Sequence, residues 1–128
     1  MADAPRYFTL PQANAIVVAI RPLVGEILSI RDAIIERQAE IWPVIEKAVG
    51  NGGNQAASQM AREFDRLDHL VREIQATGAI LKDLNLGLVD FPALREGREI
   101  YLCWKYGEGE IQFWHEVEDG FAGRQPME

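Results

Sequence analysis

The chain has 128 residues, 13 basic against 20 acidic side chains for a formal charge of −7, and a single cysteine. That length suits one domain around one core, the acidic balance works against nucleic acid or anionic lipid as a partner, and one thiol excludes an internal disulfide framework. The opening residues MADAPRYFTL lack the basic-then-apolar pattern of a leader, and the apolar run at residues 15–20 is far short of a bilayer span, so a cytoplasmic protein is expected.

Residues 9–84 read as a helical hairpin. Thr9 and Gln12 have the spacing of a capping box, Pro11 sits where its missing N–H costs little, and Phe8 can staple onto Ala13, so a helix should begin at Leu10. Ile16, Ile20, Leu23, Ile27, Ile30, Ile34, Ile41 and Ala48 then recur in steps of three, four and seven, the seam of packed helices. Val17, Val24 and Ile45 flank it, with Leu28, Ile35, Trp42 and Val49 further round, so something besides a second helix must cover the arc. Pro22 and Pro43 predict two bends, or a break at Pro43. The Gly50-Asn51-Gly52-Gly53 run is a turn, and Asn54 caps a second helix. Its seam is Ala57, Met60, Phe64, Leu67, Val71, Ile74, Gly78 and Leu81. Gly78 there marks a close helix contact, and His69 lies on the solvated face among mixed charges. A first helix of nearly forty residues is about 57 Å long, more than a domain this size spans, which together with the wide arc predicts a homodimer.

From Leu86 the pattern changes. Asn85-Leu86-Gly87 ends the second helix, Leu88 to Phe91 reads as a strand stopped by Pro92, and Glu99 to Tyr106 as a second strand. Gly107-Glu108-Gly109-Glu110 is a hairpin turn and Ile111 to Val117 returns. The whole is a single α+β domain: a long antiparallel helical hairpin packed with a small antiparallel sheet, the β unit and a folded-back tail filling residues 86–128. The hairpin register is open. A two-residue loop pairs Cys103 with Trp114 and Leu102 with His115, whereas a bulged three-residue loop makes Cys103 and His115 direct neighbours.

The segments GLVDFPA (residues 87–93), GREIYLCW (97–104), WHE (114–116) and GFAGRQP (120–126), with FTLPQAN at 8–14, resemble an uncharacterised bacterial family catalogued as a domain of unknown function. The resemblance spans nearly the whole chain and implies no activity or catalytic residue.

The chemistry-bearing residues gather in residues 97–126, which hold two of three tryptophans, the cysteine and one of two histidines. Asp90, Cys103, His115 and Glu116 are the ligand types a divalent zinc or iron ion accepts, although no CxxC, HxxxH or HExxH spacing joins them. Cys103 with His115 as its base, oriented by Asp90 or Glu116, would make a nucleophile. Trp104, Trp114, His115 and Arg124 would line a small-molecule pocket, with Arg124 holding an anion or pairing with Asp90 or Glu116. The expectation is a small binding or interaction protein with a ligand or metal site on the β unit. The alternative is a metal-dependent or Cys/His-based enzyme acting on a small molecule.

Overall fold

The computed structural model describes residues 7–48 and 55–127, with side chains over 7–37 and 58–127. Helix α1 (Leu10–Ala48) begins at the expected residue: Thr9 N–H donates to Gln12 Oε1 at 3.0 Å and Gln12 N–H to Thr9 Oγ1 at 3.2 Å. This reciprocal cap satisfies two donors that a helix start otherwise leaves to water. The helix continues through both prolines to Ala48 without a break. The expected glycine turn and Asn54 cap, and the side chains of Ile41, Trp42 and Ile45, lie outside the described residues.

Helix α2 (Gln55–Ala76) stops earlier than the seam suggests. Thr77 and Gly78 close it: Thr77 Oγ1 donates to the Ile74 carbonyl at 2.6 Å, Gly78 N–H reaches the Gln75 carbonyl, and Gly78 has φ of 96°. Gly78 is thus a helix terminator rather than a helix contact. Residues 80–83, assigned above to the helix, form strand β1 (Ile80–Asp83).

Four more strands follow, β2 (Leu88–Arg95), β3 (Arg98–Lys105), β4 (Phe113–Glu116) and β5 (Gln125–Pro126), and the five make an antiparallel meander in sequence order. Pro92 does not stop β2, because its ring nitrogen and carbonyl point away from β3, beyond the end of β1. There the carbonyl accepts from Phe8 N–H at 2.8 Å, so no ladder bond is lost. Glu96 and Gly97, both at positive φ, make the two-residue hairpin that joins β2 to β3.

The core lies between one sheet face and the helices. Ala13, Val17, Ile20, Val24 and Ile27 of α1 and Leu70 and Ile74 of α2 pack with Val89, Phe91, Leu102, Trp104 and Trp114. The flanking row Val17 and Val24 is fully buried while Ile16, Leu23 and Ile30 are half-covered, because the β unit covers that side. A methyl group on Gly87 would stand 3.2 Å from both Val24 and Leu28, and one on Gly25 would meet the Tyr106 ring. By length and composition Leu10–Arg37 could cross a bilayer, yet its inner row is this core. Two fork-like ion pairs tie the helices together, Arg66 to Glu26 at 2.6 and 3.0 Å and Arg37 to Glu63.

Candidate metal centre

Register decides what the other sheet face carries. Asp90 sits directly opposite Cys103 on β2 and β3, and Tyr101 opposite His115 on β3 and β4. Alternate residues of a strand share a face, so Tyr101 and Cys103 point the same way, and Asp90, Cys103 and His115 all leave the sheet together. Cys103 pairs with Phe113, a register one step away from the tighter of the two loops considered above. A long connection, residues 106–112, replaces the expected short turn. It is anchored by Trp104 Nε1, which donates to the carbonyls of Glu108 and Gly109, and by Asn14 Oδ1, which accepts from Ile111 N–H at 2.8 Å.

This face points away from the helices, yet Asp90, Cys103 and His115 are all 2% exposed or less. Their ligand atoms lie within 4.8 Å of one another. His115 Nδ1 donates to its neighbour's carbonyl, Glu116 O, at 2.7 Å, which leaves Nε2 facing Asp90 Oδ2 at 3.0 Å. Because both ring nitrogens face oxygens, without a metal one proton must lie between Nε2 and Oδ2, whichever atom holds it. Asp90 Oδ1 is buried and has no hydrogen-bond partner among the described residues. Burial, reinforced by the Asp90 carboxylate, pushes the Cys103 thiol up to about 12. Both ring nitrogens of His115 already face oxygens, so neither is placed to take the Cys103 thiol proton.

The other residues singled out in the sequence stand elsewhere. Glu116 points to the opposite face and forks onto Arg98 at 2.6 and 3.0 Å, and this guanidinium holds its carboxyl below the usual range. Trp104 and Trp114 are buried on the helix side, so they do not share a wall with His115. Arg124 meets neither Asp90 nor Glu116; its Nη2 alone donates to both oxygens of Glu108, at 2.7 and 2.9 Å, with its guanidinium carbon 4.0 Å from the Phe113 ring centre and 4.8 Å from that of Phe121. His69 is exposed, 3.8 Å from Glu73.

A cavity of about 250 Å³ opens beside the cluster, with Asp90 and His115 at one wall and Lys82, Leu88, Asp119 and Phe121 among the rest. Lys82 Nζ stands 5.0 Å from the centre of the Tyr101 ring, which in turn tilts against His115. Sequence reasoning missed Lys82, Tyr101, Glu108 and Asp119. Alternation from Cys103 would have found Tyr101; Lys82 was hidden by the helix assigned to residues 80–83.

The chain belongs to the uncharacterised conserved protein family DUF2203, whose profile matches residues 6–127. Neither a curated protein nor a solved structure gives a match.

Proposed function

We propose that this DUF2203 protein binds one divalent transition-metal ion through Asp90, Cys103 and His115. The observation that carries the reading is the convergence of carboxylate, thiol and imidazole from three adjacent strands, all buried, within 4.8 Å. A tetrahedral ion holding nitrogen and oxygen at about 2.0–2.1 Å sets such ligands about 3.3 Å apart, close to the 3.0 Å between Nε2 and Oδ2. The ion would take the place of the shared proton, held by one oxygen of Asp90. His115 already has the outer hydrogen bond, Nδ1–H to a backbone carbonyl, that orients metal-binding histidines. The mixed ligand set favours zinc, with iron the nearest competitor. Loading must remove the thiol proton, so affinity rises with pH.

Native mass spectrometry of untagged protein, before and after zinc loading, tests this. One ion per chain is expected, lost in His115→Ala and Asp90→Ala. A bare chain after loading, or equal uptake by the variants, refutes it.

Three protein ligands leave a fourth position, and the cavity lies on the Asp90 and His115 side. That observation supports the second reading, an enzyme in which the ion supplies a Lewis acid to a small molecule. As part of the same proposal the protein is cytoplasmic and a homodimer, the dimer being supported by Val18 at 66% and Ile35 at 57% exposure on a helix of 39 residues. The same spectra test it, since a monomer at micromolar concentration would overturn the dimer.

A further inference from the structure

We propose that the segment after β4, residues 117–127, is a latch over the metal centre, bolted by the Arg124–Glu108 ion pair, and that its opening controls exchange of the ion. The inference rests on the metal-binding reading above. It begins from a conflict in the fold: a polar cluster lies on the sheet face opposite the helices, yet is as buried as the core. The tail lies on that side. Asp119, Gly120 and Phe121 wall the cavity beside Asp90 and His115, and Arg124 lies over Phe113, the strand neighbour of Cys103.

The tail is held thinly for a segment that seals a core. Its backbone hydrogen bonds over residues 119–124 are local: Asp119 N–H to Glu116 O, Gly123 N–H to Gly120 O and Arg124 N–H to Phe121 O. The 3-10 turn Phe121–Gly123 contains no buried residue, and Phe121 is 39% exposed. Beyond it, β5 contributes two paired residues, and Met127, whose N–H meets Gln112 O at 2.9 Å, packs half-buried against the core as the tail's end anchor. A segment with few buried apolar contacts opens at less cost than the whole fold.

Arg124 is the exception. Its side chain is 10% exposed, set against the Phe113 and Phe121 rings, and its Nη2 donates to both oxygens of Glu108, whose Oε1 is also fixed by Lys105 N–H at 2.8 Å. Glu108 belongs to the connection between β3 and β4, so this side-chain pair joins the tail to a segment anchored by Trp104 and Asn14. Glu108 is the charged partner in this part-buried pair, and without it only the two ring contacts hold the guanidinium in place. Gly123 fits the same device, since a methyl group there would lie 2.6 Å from Asp119 Cβ, and the turn would have to shift.

Cys103 reports opening without any metal. In the metal-free protein at pH 8, a disulfide-exchange reagent should label Cys103 at least tenfold faster in Arg124→Ala than in wild type, and Arg124→Lys, which keeps the charge, should retain much of the protection. Leu70→Ala, distant in the helices, serves as the control for general destabilisation. Labelling of Arg124→Ala at the wild-type rate overturns the latch, as does acceleration no greater than in a Leu70→Ala sample brought to equal stability. In zinc-loaded protein, chelator-driven release should quicken by a similar factor. Faster labelling in a protein that takes up no zinc would leave the latch standing over a metal-free cluster and sink only the metal reading; unchanged zinc release despite faster labelling would overturn the latch's control of exchange.

Discussion

Zinc should raise the melting temperature of the wild-type chain and do little for Cys103→Ala. At a free concentration one hundredfold above the dissociation constant, binding to the folded state alone stabilises it by about 2.7 kcal/mol. For a chain of this length, about 4 °C per kcal/mol makes that a shift of about 10 °C. Cys103 is fully buried, and deleting its sulfur leaves a small void that lowers the metal-free melting point by about 1 kcal/mol, or about 4 °C. Losing a ligand weakens affinity at least as much as losing an outer-shell support, about a hundredfold. At the same zinc concentration the variant then gains only about 0.4 kcal/mol, a shift of about 2 °C. Differential scanning fluorimetry of both proteins, with and without zinc, reads all three shifts. Equal zinc shifts in the two would refute the reasoning, because the thiolate would then contribute nothing.

Leu70→Ala should cost about 2–5 kcal/mol in urea unfolding, because that side chain is fully buried, whereas Phe64→Ala, 54% exposed, should cost well under that; the reverse order would restore the seam read from sequence. Gly87→Ala should destabilise by more than about 1 kcal/mol, since φ of 64° is unfavourable for alanine and the new methyl would lie 2.8 Å from Tyr106 Cβ; an unchanged denaturation midpoint would count against the close approach. Glu26, Glu63 and Glu116 have carboxyls held low by their arginine partners, Arg66, Arg37 and Arg98. Their stabilisation is complete above the unfolded carboxyl range near 4.5 and is lost as pH falls through the lowered folded values. Melts from pH 6 to pH 2 should therefore steepen below about pH 4.5, and Glu63→Gln should flatten that limb; an unchanged slope would dismiss the pair.

Local signals were the legible ones. The Thr9–Gln12 box could be read because its two partners are three residues apart, and the α+β division because the hydrophobic period changes from helical to alternating. The end of α2 was not, because Ile80 and Leu81 continue a helical spacing and only tertiary pairing with β2 makes them a strand. Pro92 misled for a related reason: its effect depends on which edge its nitrogen faces, and a distant segment, at Phe8, defines that edge. The cluster was half legible. Asp90, Cys103 and His115 could be picked by chemical type, but bringing them together needed a register set by Asn14 and Trp104 anchoring the residue 106–112 connection. Glu116, equally plausible by type, faces the other way through simple alternation from His115.

The bond from Ile111 N–H to Asn14 spans 97 positions, and Phe8 packs edge-on against Phe91 at 5.6 Å. Both fasten the start of α1 to parts of the β unit that come much later in the chain, strand β2 and the connection before β4. Synthesis therefore delivers a long apolar helix well before the surface that covers its inner row exists, and contacts between remote positions form only after their loop entropy has been overcome. Until β2 and the connection beyond β3 emerge, the helix start lacks both of these fastenings. Among residues with described positions, some of the earliest made are among the last to be secured.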